Sequence, residues 1–103
     1  MQALGDGRRY AVRFYDVPWA ERHDEALAEK RDRLILQVVT RLKLQLEAGD
    51  QLARLGSDEF ALLIDTRREP NRAEWVAERI VEALGEPYWV DGESLLVGCS
   101  LGL

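Results

Sequence analysis

The chain has 103 residues, of which 47% are hydrophobic and 32% are charged, and its formal net charge at neutral pH is −5. This length is enough for one small domain with one core, and the composition is that of a globular rather than a disordered chain. The acidic balance argues against a protein that binds nucleic-acid backbones. The single cysteine excludes an internal disulfide and a cysteine-based zinc site, and it fits the reducing cytoplasm. No apolar run is long enough to cross a membrane, so we expect no membrane partner for this segment.

The first predicted elements are a short leader and a strand. Residues 1–9 contain two glycines and predict a leader, which is followed by one domain over residues 10–103. Residues 10–17 predict a strand in which Asp16 shares a face with apolar residues, because side chains alternate with a period of two. Pro18 then stops the strand, since its ring fixes φ and removes a hydrogen-bond donor.

A stretch without glycine or proline predicts the first helix. Residues 32–47 carry their apolar side chains on one helical face, which is typical of a helix packed on a core. Residues 20–31 are more polar and predict a separate turn, a frayed helix or a loop. Gly49 and Asp50 end the helix and lead into a hairpin.

The hairpin consists of two predicted strands, over residues 51–55 and 59–65. Gly56 and Ser57 predict a two-residue type II′ turn between them, because glycine takes the positive φ that the first turn position requires. Asp58 and the first residue of the second strand then place two carboxylates at the edge of an apolar sheet. Such an edge is a plausible place to hold a metal ion.

The second half of the chain predicts one more helix and two more strands. The helix covers residues 71–84, a hairpin with a type I′ turn covers residues 88–97, and its second strand continues as the last strand to Leu103. The resulting order is βαββαβ with one small extra strand before the last. This order predicts an α+β fold with a ferredoxin-like arrangement, in which two helices pack on an antiparallel sheet.

Residues 54–64 read Arg-Leu-Gly-Ser-Asp-Glu-Phe-Ala-Leu-Leu-Ile. This stretch resembles the signature hairpin of the GGDEF family, the diguanylate cyclase-like domains of bacterial signalling proteins, whose motif is Gly-Gly-Asp/Glu-Glu-Phe. Ser57 stands at the second glycine, so the signature is degenerate. Residues 94–103 resemble the family's Val-x-x-Ser-Ile-Gly-Ile strand. The resemblance implies the GGDEF or nucleotidyl cyclase-like fold, which elaborates the ferredoxin-like core.

The resemblance covers residues 10–103 and leaves out two family segments. Nothing in the chain resembles the family's Asp-x-Leu-Thr-Gly-Leu-x-Asn-Arg opening motif or its final helix with a Lys and an Arg. We therefore expect a partial domain of a longer signalling protein, with one face of its sheet undercovered.

The resemblance also implies a chemistry. Diguanylate cyclases use Mg²⁺ or Mn²⁺ to condense two GTP molecules into cyclic di-GMP and pyrophosphate, and the metal neutralises phosphate charge. The family's metal ligands match Asp16, the backbone carbonyl of Val17, and Asp58. Glu59 matches the invariant acid of the signature, so Asp58 and Glu59 are the candidate catalytic residues. The alternative is that Asp16 caps a helix and that the two signature acids are solvated turn residues.

The candidate nucleotide contacts implied by the resemblance are Gly56, Ser57, Asp24 and Asp32. Asp32 matches the family's guanine-binding aspartate, and either His23 or Asp24 falls at its guanine-binding asparagine. The family's phosphate-binding lysine is replaced by an alanine or a glutamate, at position 20 or 21, and a glutamate there would repel phosphate. Ser57 adds a side chain where the family brings bare backbone against the nucleotide.

Many family members also have an inhibitory product-binding site of sequence Arg-x-x-Asp just before the signature. Asp50 stands at its aspartate, but Glu47 replaces its arginine. We therefore predict no product inhibition through that site.

Three functions fit these observations. The first is a degenerate, regulatory GGDEF domain beside other domains of a longer protein. The second is an active diguanylate cyclase with a divergent pocket, working as a homodimer with one GTP on each half. The third is a ferredoxin-like protein interaction domain that binds no nucleotide.

Overall fold

The protein folds around a four-stranded antiparallel sheet, as the computed structural model shows for residues 7–15, 25–56 and 58–102. Two helices pack on one face of this sheet, and two short strands form a separate hairpin. The elements in chain order are β1 (Gly7–Tyr15), α1 (Glu25–Leu44), β2 (Gln51–Arg54), β3 (Glu59–Asp65), α2 (Arg72–Leu84), β4 (Tyr88–Val90), β5 (Glu93–Leu95) and β6 (Gly98–Gly102).

The strand order in the main sheet is β2-β3-β1-β6. β1 pairs antiparallel with β3 on one side and with β6 on the other, so Arg13 stands opposite Glu59 in β3 and opposite Ser100 in β6. The four main strands and the two helices follow one another as βαββαβ, and the predicted ferredoxin-like fold class is confirmed.

β1 begins earlier than predicted. Gly7 pairs with Asp65 at the far end of β3, so the last three residues of the predicted leader, 7–9, belong to the sheet. The strand is described as far as Tyr15, and residues 16–24 lie outside the described part of the chain.

α1 is longer than predicted at its start and shorter at its end. It begins at Glu25, and the polar stretch at residues 25–31 is helical because it is rich in good helix formers such as alanine, leucine, glutamate and lysine. The helix ends at Leu44 because the backbone N–H groups of Gln45 and Leu46 donate to carbonyls three residues back, both at 3.1 Å, and tighten the last turn. Within the described ranges, no helix combines the length and the apolar character needed to span a bilayer.

The predicted β4–β5 hairpin forms, but as a two-stranded sheet of its own. β5 ends at Leu95 instead of continuing as the last strand, and the final strand begins at Gly98. There are therefore two extra strands before the last rather than one. The backbone φ angles of Asp91 and Gly92 are 52° and 81°, which confirms the predicted type I′ turn.

The core lies between the main sheet and the helices. Side chains alternate along β1, so Val12 and Phe14 are buried while Arg13 is exposed. Phe60 of the signature packs edge-on against Phe14, with ring centroids 6.0 Å apart and an interplanar angle of 89°. The helices contribute a set of almost fully buried aliphatic side chains, namely Leu34, Val38 and Leu42 from α1 and Val76, Ile80 and Leu84 from α2.

Arg41 of α1 holds the end of α2 in place. Its guanidinium donates to the backbone carbonyls of Ala83, at 3.0 Å, of Glu86, at 2.6 Å, and of Pro87. It also lies 3.7 Å from the ring centroid of Tyr88. The last carbonyls of a helix lack partners within the helix, so this arginine adds side-chain hydrogen bonds there, beside the backbone one of 3.4 Å from Glu86 to Ala83.

Replacing Arg41 by Met is expected to lower the free energy of unfolding by about 2 kcal/mol, because charge-assisted hydrogen bonds are lost while the side-chain volume is kept. Urea unfolding followed by circular dichroism measures the effect. Lys43→Met, on the exposed side of the same helix, is the matched control and should change stability by less than about 0.5 kcal/mol. Equal losses in the two variants would contradict this role of Arg41.

Candidate active site at the signature hairpin

The signature hairpin closes at a different pair of residues than predicted. The backbone N–H groups of Leu55 and Gly56 both donate to the carbonyl of Glu59, at 2.9 and 3.3 Å. In the predicted two-residue type II′ turn, Leu55 would instead pair with Asp58. That prediction is therefore wrong, because the pair that closes the hairpin is Leu55 with Glu59.

Asp58 joins this loop to the first strand. Its backbone carbonyl accepts a hydrogen bond of 2.8 Å from the N–H of Phe14, near the described end of β1. The first strand and the hairpin are thus neighbours in the sheet. Asp16 and Val17, the other predicted metal ligands, lie outside the described residues.

Glu59 begins β3 on the face of the sheet that is turned away from the helices, since the next residue, Phe60, is buried in the core. Its neighbour on that face is Arg13, directly opposite in register. The Nε atom of Arg13 is 3.5 Å from the Oε2 atom of Glu59, and the two side chains are 70% and 28% exposed. Glu59 therefore already has a cationic neighbour.

The described part of the site offers carboxylate oxygens, which are the donors that Mg²⁺ and Mn²⁺ prefer. Asp58 is exposed, and its chemistry fits such an ion. The described ranges contain no group of three or more histidine, cysteine, aspartate or glutamate side chains that could hold a metal by themselves.

The predicted nucleotide contacts are only partly within the described structure. Gly56 is exposed in the loop, and a Cβ added there would meet no atom within 4 Å, so the space beside it is open. Asp32 is exposed on α1. Asp24 and Ser57 lie outside the described residues.

Asp50, at the predicted remnant of the product site, is fully engaged within the protein. Its side chain is 0% exposed. One carboxylate oxygen accepts from Arg72 and from the backbone N–H of Asp65, at 2.7 and 2.8 Å. The other accepts from Arg72 and from the backbone N–H of Glu47, at 2.6 and 2.8 Å. This carboxylate therefore joins α2, β3 and the loop before β2.

Arg72 is the residue of this region that the sequence interpretation missed. Its side chain is only 9% exposed, and it also donates to the backbone carbonyl of Asp65, at 3.0 Å. The signal was present in the sequence, because Arg72 stands four and eight residues before Val76 and Ile80 on the buried face of α2. A cation on such a face calls for a buried anion, and Asp50 supplies it.

Two carboxyl groups near Arg72 have depressed pKa values. The side-chain hydrogen bonds from Arg67 hold the pKa of Asp65 at about 2. Burial of Asp50 acts to raise its pKa, but hydrogen bonds from Arg72 and from the backbone outweigh burial and lower it. Both groups are therefore more acidic in the folded protein than in the unfolded chain.

Acid is expected to destabilise the protein through these two carboxyl groups. A carboxyl with a depressed folded-state pKa contributes stability above its unfolded pKa, and this contribution is lost as pH falls through the folded pKa. The free energy of unfolding should thus change little above about pH 5 and fall between roughly pH 4 and pH 2. Urea midpoints measured across this range test it, and Asp65→Asn should make the curve shallower. A midpoint independent of pH would contradict the assignment.

The fold and the signature hairpin together define the class of protein. The chain matches the family described as "Diguanylate cyclase, GGDEF domain" over residues 28–103. It therefore belongs to the GGDEF family, and the resemblance seen in the signature hairpin is confirmed.

Two curated relatives from Pseudomonas aeruginosa are similar to nearly the whole chain. The bifunctional diguanylate cyclase/cyclic di-GMP phosphodiesterase MucR is 36% identical over 103 residues, which are 99% of this chain and 15% of MucR. The cyclic di-GMP phosphodiesterase NbdA is 30% identical over 98 residues, which are 94% of this chain and 12% of NbdA. The chain thus spans less than a fifth of the length of these relatives and corresponds to one domain of such longer signalling proteins.

A solved structure shows the same fold. The GGDEF domain of TpbB from Pseudomonas aeruginosa is 28% identical, with a TM-score of 0.69, and the match covers 91% of this chain and 60% of that one.

Proposed function

We propose that this chain is a catalytically degenerate GGDEF domain that acts as a regulatory module in a longer cyclic di-GMP signalling protein of the bacterial cytoplasm. The observation that carries this proposal is the charge of the segment that follows β1. The position of the family's phosphate-binding lysine is occupied by Ala20 or Glu21. A neutral or negative side chain there fails to offset the charge of a triphosphate.

The proposed module keeps a metal site while its nucleotide contacts are weakened. Asp58, Asp16 and the carbonyl of Val17 would hold Mg²⁺ or Mn²⁺, which would neutralise phosphate charge. The hydrogen bond between Phe14 and the carbonyl of Asp58 supports this grouping, because it ties the signature loop to the strand that leads to Asp16. Gly56, Ser57, Asp24 and Asp32 would contact GTP.

We further propose that cyclic di-GMP does not inhibit this domain through the Arg-x-x-Asp position. Asp50 accepts four hydrogen bonds from within the protein, so its carboxylate has little capacity left for a guanine base. Glu47 adds a negative charge 3.5 Å from Arg72. These contacts support a fixed structural role for Asp50.

The name of one relative supports a regulatory role and the name of another supports an active one. NbdA is named as a phosphodiesterase alone, although it matches 94% of this chain. MucR is named as a cyclase as well. The second candidate function is therefore an active diguanylate cyclase that works as a homodimer, and the retention of both Asp58 and Glu59 favours it.

GTP binding and turnover, measured on the same sample, test the proposal. GTP is titrated into the protein with Mg²⁺ or Mn²⁺ by calorimetry, and the mixture is then chromatographed for cyclic di-GMP. We expect metal-dependent binding without product, and loss of that binding in Asp58→Asn, which removes a charge at nearly constant shape. Cyclic di-GMP in the mixture would establish the cyclase instead. If GTP does not bind and no cyclic di-GMP forms, the result favours the protein interaction domain.

A second variant tests why the pocket is weak. If the side chain at position 57 is the main obstacle, Ser57→Gly should raise the affinity for GTP, because the backbone can then approach the nucleotide. An unchanged affinity would argue against a simple steric block. The cause of weak binding would then be the absence of a phosphate-binding lysine. The Asp58→Asn titration serves as the reference for lost metal binding.

A further inference from the structure

We propose that Arg13 is a built-in competitor of the divalent cation at the signature hairpin, so that its guanidinium lowers the affinity of the signature carboxylates for metal. This inference rests on the proposed metal site. It assigns a role to a residue of β1 that lies outside the signature itself.

The pairing of the strands places Arg13 beside Glu59 and next in sequence to the residue that bonds to the backbone of Asp58. In register it stands directly opposite Glu59, and its Nε atom is 3.5 Å from the Oε2 atom of that side chain. The next residue along β1, Phe14, donates its backbone N–H to the carbonyl of Asp58, at 2.8 Å. The backbone of Arg13 is thus one residue from the point where Asp58 meets the strand.

The electrostatic consequence follows from this position. A divalent cation held by Asp58 would be repelled by a guanidinium on the neighbouring strand, and Glu59 would have to leave Arg13 before it could contribute charge to the metal. Because the Arg13 side chain is 70% exposed, the ion pair itself adds little to folding stability. Its effect should therefore appear in metal affinity rather than in folding.

The same strand offers a matched control. Arg9 lies on the same face of β1 as Arg13, is also exposed, and stands opposite Leu63 rather than opposite an acid. Four residues of strand separate the two arginines by about 13 Å, which is beyond the Debye length at physiological salt. Replacing either arginine by glutamine changes the net charge by the same amount, so only proximity to the signature distinguishes the two variants.

The test is a titration of the protein with Mn²⁺ alone. Binding is monitored by calorimetry or by the electron paramagnetic resonance signal of free Mn²⁺. At about 0.15 M KCl, Arg13→Gln should bind Mn²⁺ about three- to tenfold more tightly than the unmodified protein, whereas Arg9→Gln should differ by less than about twofold. The gain should shrink at about 0.5 M KCl, because salt screens exposed charges. Thermal unfolding of both variants verifies that the fold is kept.

Asp58→Asn separates failure of this inference from failure of the proposed function. If Mn²⁺ binding needs Asp58 but is the same in Arg13→Gln and Arg9→Gln, or is weaker in Arg13→Gln, the inference is overturned and the metal site stands. If no variant binds Mn²⁺, or if Asp58→Asn has no effect on binding, the proposed metal site is overturned and the inference with it.

Discussion

Replacing Arg72 by Met should lower the free energy of unfolding by about 3 kcal/mol or more, which is the usual result of removing one partner from a buried ion pair. The Asp50 side chain is 0% exposed and would remain shielded from water without its cation. A methionine fills a similar volume, so the loss reports charge and hydrogen bonding rather than a cavity. Urea unfolding at pH 7 measures it.

Arg68→Met is the matched control for this prediction. Arg68 lies in the same loop region between β3 and α2 but is exposed, so its replacement should change stability by less than about 0.5 kcal/mol. In Arg72→Met the pH range over which the free energy of unfolding falls should also shift, because Asp50 then loses the hydrogen bonds that lower its pKa. A variant as stable as the unmodified protein would show that the ion pair contributes nothing net.

Replacing Phe60 by Ala should lower the free energy of unfolding by about 3 to 5 kcal/mol, as expected when a large aromatic side chain is removed from a packed core. Phe60 is 1% exposed and packs edge-on against Phe14. The phenylalanine of the signature is thus a residue of the core, although it lies in the motif named for function. Chemical unfolding and heat-capacity calorimetry measure the loss.

Leu55→Ala provides the comparison, because Leu55 lies on the same hairpin and is 61% exposed. Its replacement should leave the unfolding transition nearly unchanged. If Phe60→Ala also left the transition unchanged, the hairpin would be held to β1 by backbone pairing alone. A large loss in both variants would point instead to general fragility of the hairpin.

The βαββαβ order of the main elements was predictable because a local sequence pattern indicates each of them. Alternation of side chains marks β1 and β3, and the apolar stripes mark both helices. The Asp91-Gly92 pair fixed the turn type, since both positions need positive φ and these two residue types adopt it readily. The signature hairpin then indicated the family.

The features that were missed depend on contacts between residues far apart in the chain. The hairpin closes at Leu55 and Glu59, and which residues pair depends on how β3 is aligned with β1 and β2. Arg13 faces Glu59 for the same reason. Such alignments follow from packing of the whole sheet, and a turn motif alone does not determine them.

Asp50 illustrates how a structural partner can change the meaning of a motif. The residue type at this position is the one that the family's product site uses, yet its four hydrogen bonds come from Arg72 and from backbone N–H groups. Glu47→Arg would restore the residue types of the motif but not a free carboxylate, because Asp50 already accepts hydrogen bonds from Arg72. Under the proposed function, a product site here would also require a change in the first turn of α2, because the same carboxylate ties that turn to β3.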